Sequence, residues 1–306
     1  MKEKILITDP VHPNLIKKLK ERRYFVYYKP GIKKKNLIKI VNKFNVLIIR
    51  SGIKIDKDIL IMAKNLKLIA RAGVGLDNID LDCANLMKIK VFNVANISFR
   101  SVAEFTIGLL ISSARKITLS DNQLRRNIWK KSELYGIELK GKTLGIIGAG
   151  KIGEEVAKIA NSLSLKICAT VKNKKKIRSK FFRKKIKIVS LNKLLKNSDF
   201  ITIHTPLTGE TKNMISSKEI NLMKRTSILI NMSRGGVVNE NSLYNNLRKR
   251  RIFGAGTDVY LFEKRKNKLF KLDNITVTSH IGAMTFESQK RIAELVFKKL
   301  KTNLQN

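Results

Sequence analysis

The sequence predicts an α/β fold of two doubly wound parallel-sheet domains. Three observations point there. Short apolar runs alternate with amphipathic helical segments, and the alternation breaks at one long helical stretch and then restarts. Soon after the restart, a glycine-rich turn stands between an apolar strand and a helix.

In the first third the candidate strands are KILIT (4–8), YFVYY (24–28), VLIIRS (46–51), LKLIARAG (66–73) and KVFNV (90–94). Between them NLIKKLKER, NLIKIVNKF and DILIMAKNL place apolar residues three and four apart, the helical period. The stretch RSVAEFTIGLLISSARKI (100–117) follows, apolar enough to predict burial against another domain or subunit. The strands then resume with KTLGIIG, LKICATV, FITIHT, SILINMS, FGAGTDV and NITVTSH. The last helix, FESQKRIAELVFKKL (286–300), is expected to return to the first domain. The predicted division is residues 1–97 with 285–306, and residues 98–284, with a crevice between the two domains.

A chain of 306 residues, 43% apolar, is long enough for two ordinary cores and too apolar for disorder. No apolar run approaches the ~18 residues that cross a bilayer. The start MKEKILITDP turns polar too soon for a secretion signal. Two cysteines, Cys83 and Cys168, make neither a disulfide framework nor a metal cluster, so no metal is expected and a reducing cytoplasm suits them. The 64 basic residues outnumber 23 acidic ones, a net charge of +41. Such a field attracts polyanions. The lysines are spread over nearly every helix, however, with no zinc-finger spacing or aromatic RNA-binding motif, so no specific nucleic-acid partner is expected.

Open α/β sheets bind ligands beyond the carboxyl ends of their strands, so the residues just after each strand matter most. After KTLGII come Gly148, Ala149, Gly150, Lys151, Ile152 and Gly153, then a helix. The first glycine permits a tight turn, the second lets the backbone approach a pyrophosphate, and the third packs helix on strand. That is the fingerprint of a Rossmann dinucleotide-binding domain. After SILINMS comes Arg234, with Gly235 and Gly236 leaving it room to grip a carboxylate. After FGAGTDV come Asp258 and Glu263, and after NITVTS comes His280 with Gly282 behind it. Only three histidines exist: His204 and His280 at strand ends, and His12 in the first strand-to-helix connection. A histidine with a carboxylate and an arginine is the minimum set for moving a proton while a hydride leaves.

In order along nearly the whole chain, LKLIARAGVGLDNID, RSVAE, LKGKTLGIIGAGKIG, ITIHTPLTGETKNMI, NMSRGGVVNE, GAGTDVY and TSHIGA resemble the motifs of D-2-hydroxyacid dehydrogenases. Within that family they are most similar to members acting on 3-phospho-D-glycerate. The resemblance implies a flavodoxin-like substrate domain and a Rossmann cofactor domain. It makes His280 the acid/base, Glu263 its partner, and Arg234 the arginine that binds the substrate carboxylate and polarises its carbonyl. The amides of Val74 and Gly75 would cradle the same carboxylate, and Arg50 and Ser51 would reach a phosphorylated tail. Asp258 would face the nicotinamide carboxamide, with Gly282 nearby, and His204, Thr205 and Pro206 would lie beside the adenosine.

Three positions depart from the family pattern. Lys264 stands where relatives have proline, which predicts a looser loop, and Ser98 stands where they have asparagine. Val171 stands where an aspartate holds the adenosine ribose. Valine accepts no hydrogen bond, so NAD loses about 1–3 kcal/mol there. Ten of the sixteen residues from 172 to 187 are Lys or Arg, without one acid, and offer partners to the 2′-phosphate of NADP. The same run equally fits the basic composition of the whole chain. NAD is the expected cofactor and NADP the alternative.

The resemblance therefore implies NAD-dependent oxidation of 3-phospho-D-glycerate to 3-phosphooxypyruvate, the first step of serine biosynthesis, in a cytoplasmic homodimer. Its alternative is reduction of glyoxylate, hydroxypyruvate or another 2-keto acid. A non-enzymatic alternative is an NAD(H)-sensing protein like the corepressors on this scaffold, which need no proton carrier. The chain ends soon after its last helix, so no C-terminal regulatory domain and no serine feedback through one are expected.

Overall fold

The computed structural model describes residues 3–95, 97–173, 177 and 180–305. The chain divides into two compact units, Met1–Ser98 with Met284–Asn306, and Phe99–Ala283.

Unit 1 holds five strands: β1 (Lys4–Ile7), β2 (Phe25–Tyr28), β3 (Val46–Ile49), β4 (Leu68–Arg71) and β5 (Lys90–Asn93). All pair in parallel in the order β2-β1-β3-β4-β5. Central β3 is buried at every position, as its run of Val, Leu and Ile demands of a strand covered on both faces. Side-chain caps start three of the helices. Asp56 accepts from the Ile59 amide and Asp80 from the Cys83 amide. His12 does the same for its helix, its Nδ1 accepting from the Asn14 amide at 3.2 Å. The helix Phe286–Gln305 packs within this unit, where Ile292, Ala293, Val296 and Leu300 join Ile5, Leu15 and Ile48 in one core. Each such fully buried aliphatic side chain contributes roughly 1.5–3 kcal/mol.

Unit 2 holds seven strands: β6 (Thr143–Ile147), β7 (Lys166–Thr170), β8 (Lys187–Ile188), β9 (Phe200–Ile203), β10 (Ile228–Asn231), β11 (Gly254–Thr257) and β12 (Ile275–Val277). They too are all parallel, in the order β12-β11-β10-β9-β6-β7-β8. The fold class is thus the expected one, two doubly wound parallel sheets. β8 is an addition, a two-residue edge strand too short for its alternation to register in the sequence.

The long helix qualifies an expectation. It runs Phe99–Arg115, and its buried apolar side chains pack inside its own unit, so their apolarity needs no second surface to explain it. Ala103, Ile107, Leu110 and Ala114 pack with Val156, Ala157, Ile228 and Ile230. Lys116, at φ 54°, breaks the helix, and a second helix, Ile117–Leu124, sets off with no buried residue.

Candidate active site

Strand order in unit 2 reverses at β6, whose neighbours β7 and β9 were laid down on opposite sides of it. The glycine turn follows β6 at that switch point, where open α/β sheets receive ligands. Gly148 takes φ 105°, and a Cβ there would strike the His204 carbonyl; a Cβ at Gly153 would strike the Gly148 carbonyl. Gly150 faces open space instead. Gly150 also caps the helix Lys151–Ser162 without any side-chain bond, which leaves the helix's first amides to a ligand. A turn this tight, open at its middle residue and ending on an uncapped helix, fits a pyrophosphate.

Beside the turn, the His204 amide donates to Ile147 O at 2.8 Å. The His204 ring pairs Nε2 with Thr202 Oγ1 at 2.9 Å. Its Nδ1 and the Thr205 hydroxyl are buried with no partner among the described residues. Such atoms seek a polar ligand. Pro206 O accepts from Thr211 Oγ1. Val171 follows β7, half-buried against the unit's core. Of the basic run after it, residues 174–176, 178 and 179 lie outside the described residues.

Burial pushes the His204 imidazole down to a pKa of about 3. Its unfolded value is about 6.5, so between these limits the unfolded chain binds a proton that the folded chain does not. Stability therefore falls as pH drops through this window, by up to about 1.4 kcal/mol per pH unit. His204→Asn is expected to flatten that slope. Denaturant unfolding from pH 7 to pH 4 checks it, and equal slopes in the two proteins would refute it.

The loops after β10, β11 and β12 carry the titratable set. His280 Nδ1 and Glu263 Oε1 stand 2.5 Å apart. The bond from His280 holds the Glu263 carboxyl below its ordinary range, against partial burial, with the charges of Lys264 and Arg234 adding to the effect. Arg234 is half-buried, its Nη1 donating to Ser233 O at 2.8 Å and its own carbonyl accepting from Asn231 Nδ2. Unit 2 thus brings an imidazole, a carboxylate and a guanidinium together from three strand ends.

Asp258 is 1% exposed. Its Oδ1 accepts from the Ile281 amide at 2.9 Å and the Thr278 hydroxyl at 2.6 Å, and its Oδ2 from the Gly282 amide at 2.8 Å. The carboxylate is thus committed to the loop that carries His280.

In unit 1, Arg50 and Ser51 follow β3, and Val74 and Gly75 follow β4, all at the carboxyl edge of the sheet. The Arg50 guanidinium, its pKa lowered by burial, donates to Pro10 O at 3.2 Å and lies 3.1 Å from Met284 Sδ. Among the described residues the Val74 and Gly75 amides carry no hydrogen bond, while Val74 O accepts from Asn93 Nδ2. Ser98 is buried and accepts from the Ser288 hydroxyl at 2.8 Å, within the unit.

Residues 107–282 match the family model described as D-isomer specific 2-hydroxyacid dehydrogenase, NAD binding domain. The chain belongs to this family. It is 40% identical to a D-3-phosphoglycerate dehydrogenase of Methanocaldococcus jannaschii, over 99% of this chain and 57% of that protein. It therefore spans little more than half the length of that relative. It is 39% identical to a hydroxypyruvate reductase of Thermotoga maritima, over 97% of this chain and 98% of that protein. Among solved structures, D-lactate dehydrogenase from Aquifex aeolicus, complexed with NAD and lactic acid, gives a TM-score of 0.87 at 28% identity. That comparison covers 98% of this chain and 95% of the other.

In this 2-hydroxyacid dehydrogenase family member, the NAD-binding domain also holds residues that sequence reasoning passed over. Glu240 accepts from the Leu261 amide and from Asn267 Nδ2 at 2.6 Å, pinning both ends of the loop that carries Glu263. Two bonds to Glu240 thus hold the ends of the loop in which Lys264 stands in place of proline. Lys264 takes φ 63°, which a proline ring forbids. Tyr260 Oη donates to Thr278 O at 2.8 Å, tying the β11 loop to the β12 loop. A lone Glu at a helix start and a lone Tyr after a strand carry no sequence signal for such work.

Proposed function

We propose that the chain oxidises 3-phospho-D-glycerate to 3-phosphooxypyruvate with NAD, the first step toward serine. The observation that supports the chemistry is the bonded pair of His280 and Glu263, with the Arg234 charge acting on it. Bound NAD supplies the hydride acceptor. His280 Nε2 takes the substrate's hydroxyl proton as the carbonyl forms, while Glu263 fixes Nδ1 and balances the imidazolium. Arg234 grips the substrate carboxylate with both arms of its guanidinium. Gly148, Gly150, Lys151, Ile152 and Gly153 seat the pyrophosphate, and His204, Thr205 and Pro206 stand beside the adenosine.

The phosphorylated substrate is supported by the 40% identical relative and by the +41 field. A second reading, reduction of hydroxypyruvate or glyoxylate, is supported by the reductase relative, which matches almost end to end. It uses the same residues in reverse, with His280 donating the proton. Steady-state kinetics separate them: 3-phosphoglycerate, glycerate and lactate with NAD and NADP, and hydroxypyruvate and glyoxylate with the reduced cofactors. The highest kcat/KM for 3-phosphoglycerate is expected; a preference for a 2-keto acid without phosphate would favour the second reading.

This reading includes a cytoplasmic location, in keeping with two free cysteines, and a homodimer formed through unit 2. Trp129 and Tyr135 are each 81% exposed, and Ile117 and Leu124, in the helix that precedes them in sequence, are exposed too. A cavity of about 630 Å³ adjoins the same segment, lined by Gln123, Arg126, Phe253 and Phe270 among others. Large apolar side chains left exposed in this way are a surface that protein interfaces use. Light scattering at micromolar concentration is expected to give twice the 34.9 kDa chain mass, reduced to one chain by Trp129→Ala with Tyr135→Ala. A monomeric wild type would refute the dimer.

A further inference from the structure

An NAD-binding domain ordinarily ends its second strand with an acid, which accepts bonds from the ribose hydroxyls and faces a 2′-phosphate with like charge. Here that position is Val171, and the next residue is Lys172. Standing alone, the Lys172 ammonium would attract the 2′-phosphate of NADP. It does not stand alone: Glu210, in the turn after β9, holds Lys172 Nζ with both carboxylate oxygens at 2.6 Å. β7 and β9 flank β6, so this bridge joins the two loops on either side of the glycine turn.

We propose that Glu210 selects NAD over NADP in this domain, supplying from the β9 loop the negative charge that position 171 lacks. Glu210 cancels the charge of Lys172, the residue that follows position 171, and adds a like charge for an incoming phosphate to meet. The two side chains are 67% and 80% exposed, so the bridge adds little to folding. Its consequence falls on recognition, where a dianionic phosphate feels even a solvated carboxylate at a few ångströms. The effect is screened by salt.

The proposal rests on the NAD-binding domain and is independent of which 2-hydroxy acid is turned over. Its test is therefore nucleotide binding without substrate, read from the fluorescence of NADH and NADPH, at low and at physiological salt. The wild type is expected to prefer NADH. Glu210→Gln is expected to lower the Kd for NADPH roughly five-fold at low salt, less at high salt, and to move that for NADH less than about two-fold. Lys172→Gln, which leaves the carboxylate uncompensated, is expected to weaken NADPH further. An unchanged NADPH affinity in Glu210→Gln, or equal shifts for both nucleotides, would overturn the role of Glu210. A wild type that binds neither nucleotide would overturn it too, and the cofactor reading with it.

Discussion

His280→Ala is expected to lower kcat by about 10²–10⁴, the usual contribution of a positioned general acid or base. That corresponds to roughly 3–5 kcal/mol of barrier. NADH affinity is expected to stay within about two-fold, because the glycine turn lies on β6 and the histidine on the loop after β12. Steady-state rates and nucleotide fluorescence on one preparation check both halves. Residual turnover within ten-fold of wild type would remove His280 from the chemistry. A wild type that binds NADH but turns over no 2-hydroxy acid would favour the sensing alternative. Glu263→Gln is expected to cost less than His280→Ala, since the ring survives and only its orienting charge is lost. The Glu263 carboxyl titrates below its ordinary range, so it stays ionised through mild acid. A loss of rate as pH falls from neutral therefore does not report Glu263. The pairing's contribution to stability is present above the carboxyl's unfolded pKa and is lost as pH falls through its lowered folded value.

Much of the fold could be read from the chain because parallel strands buried on both faces are written as runs such as VLII and FITI. Glycine turns likewise announce themselves, since few other residues fit the backbone they need. The partner of an apolar helix is not written in the same way. Phe99–Arg115 shows a buried face, but nothing in its spacing says whether its own sheet or another surface covers it. Arg50 shows the same limit at the level of one side chain. A guanidinium after a strand reads as a ligand contact, and nothing in the sequence tells that it also bonds Pro10 O and Met284 Sδ, the latter 234 positions away. Periodicity encodes neighbours within an element, whereas loop-to-loop hydrogen bonds depend on the register of strands far apart in sequence.

Asp258 is the sharpest case, and replacing it is expected to have the second large effect. The motif resemblance makes it face the nicotinamide; what no spacing reveals is that its oxygens also accept three hydrogen bonds from the loop that presents His280. His280 itself sits at φ 58°, a left-handed backbone that a non-glycine residue holds only when its surroundings impose it. The amides of Ile281 and Gly282, locked onto Asp258, supply that constraint. Asp258→Ala leaves those donors and the Thr278 hydroxyl without an acceptor in a buried site, at about 1–3 kcal/mol for each buried group. A total near 3 kcal/mol predicts a fall in Tm of roughly 6–12 °C for a unit of this size. Activity measured well below that Tm is expected to fall as well, because the freed loop relaxes toward negative φ and draws His280 off Glu263. Asp258→Asn separates the two effects. It fills the same volume and keeps one acceptor, but turns an amide toward a backbone N–H. It is therefore expected to recover part of the lost Tm while kcat stays depressed. If Asp258→Asn restored kcat in step with Tm, the carboxylate would be a packing element, and the positioning of His280 would have to come from elsewhere in the loop.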